Sequence, residues 1–245
     1  MEENFEKRKK VAILFFGLSR SVKDVYPSLK ENLFDVLTEN NIEYDNFVHT
    51  YSLPNPYQDP ITKKIIYNYD NDAYKVLNPR DYIVEDQVLV AKQLQINQYF
   101  KYVSDWEKCA PTYRDGCAFI RNMVLALYSK KRLVELFAKY KNEYDYVIIT
   151  RPDQAFNTRL NPVAFKLLND SNIIVPKEHS YTGINDRICI AKPNNAIVYG
   201  LAFNLLLEYS KRTAIVSEAY WKWYITKVCR FKIIYGSLRS TLVRM

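Results

Sequence analysis

The stretch Val11-Ala12-Ile13-Leu14-Phe15-Phe16-Gly17-Leu18-Ser19-Arg20-Ser21 decides the fold class. Six consecutive apolar residues are the pattern of a strand buried on both faces, as strands of parallel sheets are. Gly17 closes the run and a polar turn follows. Leu29, Leu33, Val36 and Leu37 then recur at helical spacing, with Ser21 and Asp24 placed as a capping box and Asn40-Asn41 as the stop. Tyr44 to Thr50 supplies a second strand centred on Phe47 and Val48. The opening therefore reads β-α-β, a right-handed unit of a parallel sheet.

Farther along, the same alternation resumes. Cys117 to Lys141 reads as a long amphipathic helix with Leu125, Leu133, Leu136 and Phe137 inside. Tyr146-Val147-Ile148-Ile149 is the clearest buried strand, and it runs into Arg151-Pro152-Asp153, where proline ends the ladder. A short helix near 161–168, a strand at Ile173 to Pro176, a polar loop from Lys177 to Arg187 and a strand from Ile188 to Ala191 follow. Pro193 is placed to open a helix through about Tyr209. A helix over Glu218 to Cys229 and late strands at Phe231 to Ile234 and Thr241 to Val243 complete the chain. Residues 52–82 stand apart: Pro54, Pro56, Pro60 and Pro79 mark a long irregular excursion, Val84 to Phe100 returns to helical spacing, and 104–116, with Trp106 and Pro111, reads as loop. The expected fold is α/β, one domain over 1–245. Its central sheet is mostly parallel, Rossmann-like and flanked by helices, and 52–115 forms an irregular and helical insertion.

Composition narrows the function. With 245 residues, 48% hydrophobic and 25% charged, the chain can bury a core without disulfides or a structural metal. No apolar run approaches the ~18 residues of a membrane span. Met1-Glu2-Glu3-Asn4-Phe5-Glu6 is acidic where a signal peptide is basic and then apolar, and the four cysteines show no C-x-x-C spacing. Reduced thiols and a cytoplasmic setting are expected. The Tyr-, Asn-, Ile- and Lys-rich composition suits an AT-rich coding genome such as that of a large DNA virus, which would make the setting host cytoplasm. The net charge of +8 draws anions, yet its basic runs, Lys7-Arg8-Lys9-Lys10 and Lys130-Lys131-Arg132, are short and read as solvated surface. No dense basic stripe with interleaved aromatics appears, so nucleic acid is not the expected partner. Only 5 glycines are present, without G-x-G-x-x-G, a P-loop or a G-x-S-x-G elbow. With His49 and His179 as the only histidines, a histidine-built metal centre is not expected. His49, at a strand end, reads as a packed histidine.

In open α/β sheets ligands bind beyond the carboxyl ends of strands, and three polar clusters sit there. Gly17 to Ser21 offers a tight turn, backbone N–H groups at a helix start and the planar fork of Arg20. Thr150-Arg151-Pro152-Asp153-Gln154 offers Asp153 as a ligand for Mg²⁺ or Mn²⁺ and Arg151 as a direct partner for a diphosphate. The alternative is that Arg151 and Asp153 pair with each other. His179-Ser180-Tyr181-Thr182-Gly183-Ile184-Asn185-Asp186-Arg187 offers Asn185 and Asp186 to hydroxyls or a metal and His179 as a base, or is an ordinary turn.

Taken in order, Phe16-Gly17-Leu18-Ser19-Arg20, Asp45-Asn46-Phe47-Val48-His49-Thr50-Tyr51, Tyr144 to Asp153, Asn185-Asp186-Arg187 and Ser217-Glu218 resemble nucleotide-sugar glycosyltransferases of the GT-A type. More narrowly, they resemble poorly characterised glycosyltransferase-like proteins of bacteria and large DNA viruses. The resemblance covers most of the chain except 52–110. It implies a GT-A-like fold, a nucleotide-diphosphate sugar as donor, and a glycan, glycoprotein or other hydroxyl acceptor facing the 52–115 insertion. Gly17, Ser19 and Arg20 would hold the nucleotide, and Arg151 and Asp153 the diphosphate. Asp153 would ligate Mn²⁺ or Mg²⁺ in the Asp-x-Asp position, and Asp186 and then Glu218 would be the candidates for the base. The sequence departs from the pattern at Arg151, which replaces the first acid and cannot ligate a metal. A non-catalytic glycan- or nucleotide-binding module derived from a transferase fold is the alternative.

Overall fold

The structure is a computed structural model, and it describes residues 8–109, 115–181 and 183–243. Met1 to Lys7, Pro111 and Thr182 lie outside these. β1 (Lys10–Phe16) leads into α1 (Val22–Leu29), which passes through a π-helical turn, Lys30–Phe34, into α2 (Asp35–Glu39). Pro27 inside α1 lacks the N–H that would continue the ladder, and the wider turn follows it. Next come β2 (Glu43–Ser52), the hairpin β3 (Tyr57–Gln58) and β4 (Ile65–Ile66), and β5 (Asp81–Asp86). The helices α3 (Gln87–Gln93), α4 (Val103–Cys109) and α5 (Gly116–Phe137) precede β6 (Tyr146–Thr150) and β7 (Gln154–Phe156). The last third holds β8 (Asn172–Pro176), β9 (Cys189–Ala191), α6 (Pro193–Gly200), α7 (Leu206–Ser210), α8 (Ser217–Trp223), β10 (Lys232–Gly236) and β11 (Ser240–Leu242).

Seven strands form the central sheet in the order β10-β8-β9-β6-β1-β2-β5. Only β9 runs antiparallel to its neighbours, so the mostly parallel α/β sheet expected from the sequence is present. The run β5-β2-β1-β6 has the order of a doubly wound half, which puts the switch point between β1 and β6. Every apolar residue of β1 is buried, and they alternate between two cores. Ala12, Leu14 and Phe16 pack with α5 and the aromatics of α6 and α8; Val11, Ile13 and Phe15 pack with Val22, Val25, Leu29 and Leu33 of the opposite layer. Each of the larger side chains contributes about 1.5–3 kcal/mol by leaving water.

Several expectations are corrected. Asp81–Asp86 is a strand, the edge of the central sheet, so Val84 belongs to β5 and the helix begins only at Gln87. Helix also ends early, because Gln95 takes a left-handed φ of 47°. Trp106 lies in α4 rather than in a loop. The capping box does not form: the Ser21 hydroxyl is buried without a partner. Among the described residues no helix is long and apolar enough to cross a membrane, and Cys117, Cys189 and Cys229 are free thiols.

Candidate functional site

The turn after β1 is set by Gly17, whose φ of +94° lies where side chains are strained; a Cβ there would meet nothing within 4 Å, so conformation and not space requires glycine. The end of β2 buttresses this turn. Gly17 N–H donates both to the His49 carbonyl (3.1 Å) and to Ser129 Oγ (2.8 Å), and Thr50 Oγ1 donates to Ser19 Oγ (3.2 Å). Ser19 is thus turned into the protein and buried. His49 is fully buried, as a packed histidine should be, between Ser129 Oγ and Glu85 Oε2, each at 2.7 Å. Burial holds its pKa below the usual range even though Glu85 pulls upward, so the ring is neutral. Glu85 only accepts, so Nε2 carries the proton and Nδ1 accepts from Ser129. This Ser-His-Glu chain cannot attack a substrate, because Ser129 is enclosed.

At the end of β6, Arg151 grips Asp153 with two bonds, Nε to Oδ1 at 2.8 Å and Nη2 to Oδ2 at 2.6 Å. Asp153 is wholly buried, and Arg20 Nε stands 4.0 Å from its Oδ2. Arg20 Nη1 in turn donates to Asp59 Oδ2 at 2.5 Å, so the 52–82 excursion closes over this cation. Burial pushes Asp59 up, but the Thr62 N–H and Arg20 outweigh it and leave the carboxyl below its usual range. The pairing of Arg151 with Asp153 is the one the sequence left open.

This arrangement does not fit a divalent cation as it stands. Asp153 has both oxygens engaged by one guanidinium and a second guanidinium beside it, and among the described residues no group of three His, Cys, Asp or Glu is placed to hold a metal. It does fit a polar ligand. Arg20 Nε and Ser21 Oγ of the turn, Tyr69 Oη of the excursion, Thr150 Oγ1 at the end of β6 and Gln154 Oε1 at the start of β7 are all buried without a hydrogen-bond partner. Leaving such groups unpaired costs about 1–3 kcal/mol each, a cost that a polar partner reaching them would remove.

Across the site lie the loop 177–187 and the start of α8. Asn185 is a staple and not a ligand: its Nδ2 donates to the Glu178 carbonyl and its Oδ1 accepts from the Arg187 and Ile188 N–H groups. Asp186 is thereby presented, its Oδ2 accepting from Ser217 Oγ at 2.5 Å. Burial, and next the charge of Asp186, push Glu218 up to about 7. Beneath them is Lys130, which the basic run Lys130-Lys131-Arg132 disguised. It is 2% exposed, with Nζ 4.3 Å from the ring centres of Phe16 and Trp221 and 5.5 Å from that of Tyr199. Its ammonium donates to the Asp186 carbonyl. Burial pushes Lys130 down to about 7, and Arg151 adds to that, while Asp186 pulls the other way.

No family profile matches this sequence, and no curated protein sequence is similar to it. Among solved structures, the chain is similar to the crystal structure of mouse xyloside xylosyltransferase 1 in its apo form. The identity is 10%, over 94% of this chain and 85% of that one, at a TM-score of 0.43. At that distance the likeness carries no residue correspondence.

Of the residues expected from sequence, Gly17 and Arg20 at one strand end and Arg151 and Asp153 at the next are brought together across the switch point. Asp186 adjoins them, since its charge acts on both Arg151 and Lys130, and Glu218 adjoins Asp186. His179 points into a different pocket, described below. Asp59 and Lys130 were not expected. Asp59 gave no local signal, but Lys130 did: it lies between Leu127 and Val134 on the buried stripe of α5.

Proposed function

We propose that this protein is a glycosyltransferase that moves a sugar from a nucleotide-diphosphate sugar to a hydroxyl acceptor. The observation that carries the reading is the convergence of two guanidiniums, Arg20 and Arg151, on the buried Asp153 at the switch point, with Asp186 beside Arg151. A guanidinium has five N–H donors. Arg151 spends two on Asp153 and keeps the rest for a leaving diphosphate, with Asp153 fixing the plane of the fork. Preorganised cations of this kind supply a large share of the stabilisation a departing diphosphate needs. In this reading Asp153 orients Arg151 instead of ligating Mn²⁺ or Mg²⁺, and leaving-group charge is met by arginine.

For the acceptor, Glu218 is the better base than Asp186. A carboxyl titrating at about 7 is matched to taking a proton near neutral pH, and Asp186 serves it by proximity. Glu218→Gln is expected to lower turnover by about 10²–10⁴-fold with donor affinity kept. Because the base must be ionised, wild-type turnover should rise with pH through about 7 and then level. A variant with wild-type turnover would remove Glu218 from this role.

Thermal unfolding against a panel of nucleotide diphosphates and nucleotide sugars, with and without Mn²⁺, tests the reading directly. One nucleotide family is expected to stabilise the chain by about 2.7 kcal/mol at a hundredfold excess over Kd. That shift should be the same with Mn²⁺ present. A flat panel would defeat the transferase reading in favour of a glycan-binding module, the alternative that the closed Arg151–Asp153 pair supports.

A further inference from the structure

Lys177, His179, Ser180, Tyr181, Gly183 and Tyr235 line an open pocket of about 470 Å³ to one side of Arg151 and Asp153. Ligand pockets commonly enclose about 300–1,000 Å³. Lys177 follows β8 directly and Tyr235 lies at the end of β10, and both strands run parallel to β6. The pocket therefore opens on the same carboxyl edge of the sheet as Arg151. β8 is the second strand from β6, a lateral offset of roughly 10 Å at the usual strand spacing.

Three features of this pocket point to a ligand. Tyr181 is 75% exposed and Tyr235 53%, so two large aromatic faces stand in water at one opening. His179 and Tyr181 hold left-handed φ values of 52° and 41°, a conformation that bulky residues avoid and that clusters at ligand clamps. The wall between them is also part of the catalytic side. Gly183 N–H donates to the Ser180 carbonyl at 2.7 Å, and Ile184 N–H donates to the Glu218 carbonyl at 3.1 Å. A Cβ on Gly183 would sit 1.9 Å from that same Glu218 oxygen, so no side chain separates the pocket wall from the backbone of Glu218.

We propose that this pocket binds a sugar ring of the acceptor. The faces of Tyr181 and Tyr235 would stack on the ring's C–H surface, and Lys177 and His179 would bond its hydroxyls. The inference rests on the transferase reading for the word acceptor, but saccharide binding by the pocket can be measured without it. The offset from Arg151 is the reach of one or two sugar rings, which lets an acceptor extend its terminal hydroxyl toward Glu218. The pocket adds a second wall to the cleft, opposite the 52–82 excursion that covers Arg20.

The test is saturation-transfer NMR on the whole chain with methyl glycosides and disaccharides of glucose, galactose, mannose and xylose. The proteins compared are the wild type, Tyr181→Ala, Tyr235→Ala and Tyr181→Phe. Wild type is expected to bind at least one of these saccharides. Each alanine variant should weaken it by about tenfold or more, and Tyr181→Phe, which keeps the face, should stay within about threefold. Stabilisation by nucleotide diphosphates, read in parallel, should be unchanged in all. No saccharide binding, or binding indifferent to the alanine substitutions, overturns the proposal. Loss of the nucleotide response in Tyr181→Ala or Tyr235→Ala also overturns it, because the faces would then hold a base. If wild type binds saccharide in this pocket but no nucleotide, the pocket stands and the transferase reading fails.

Discussion

Lys130→Met is expected to abolish a rise in stability that the wild type shows between pH 6 and pH 9. In the folded chain burial holds Lys130 down to about 7, against the ordinary lysine value of 10.5. Below about 7 the folded and unfolded chains both carry the proton, and the slope is zero. Above it the unfolded chain binds a proton that the folded one does not, so stability climbs with pH until the unfolded lysine titrates. Each pKa unit corresponds to about 1.4 kcal/mol, which gives on the order of 3 kcal/mol by pH 9. The measurement is the denaturant midpoint of both proteins at pH 6, 7.5 and 9, taken as a difference so that other titrating groups cancel. A flat difference would mean that Lys130 keeps its proton throughout, held by the three rings and the Asp186 carbonyl. Methionine is apolar and only one heavy atom shorter, so it fills most of the cage. It cannot bond the Asp186 carbonyl, and the turn that carries Asp186 loses its anchor to α5.

The residues that were legible in the sequence share one property: their environment follows from near neighbours. β1, β2, β6 and β8 are buried on both faces, so each announces itself as an apolar run, and the polar residues at their ends mark the ligand edge. Arg20, Arg151 and Asp153 were singled out in this way, and the structure brings the three together. β5 was missed because it is an edge strand with alternating half-exposed and exposed residues, among which only Tyr82, Ile83 and Val84 are apolar. The roles of Asp59 and Glu85 depend on contacts 39 and 36 residues away, which no local pattern encodes. Lys130 is a different failure. Read as a run of like charges it is surface; read with the helical period it falls on the core face. The second reading is correct, because a helix presents its residues by angle and not by sequence adjacency. For Asn185 the sequence left ligand and turn both open, because short polar side chains serve loops and substrates with the same atoms; its hydrogen bonds are those of the turn.

Arg151→Met is expected to cost about 3 kcal/mol of stability and to lower sugar transfer by about 10²–10³-fold, and the two losses should separate in a second background. The stability loss comes from Asp153, which is wholly buried and would be left with only Arg20 Nε, at 4.0 Å, to face. Asp153→Asn removes that charge while keeping the shape. In the Asp153→Asn background Arg151→Met should therefore cost less than about 1 kcal/mol, which makes the coupling energy of the pair about 2 kcal/mol or more. Transfer should not recover with stability, since the leaving diphosphate would still lack the guanidinium that the pair holds in place. Denaturant unfolding of the four proteins measures the first quantity, and initial rates with a saturating nucleotide sugar measure the second. Recovery of both in the double variant would make the pair a clamp between β6 and the residues after it, with no part in transfer. Recovery of stability alone would assign the rate to Arg151 itself.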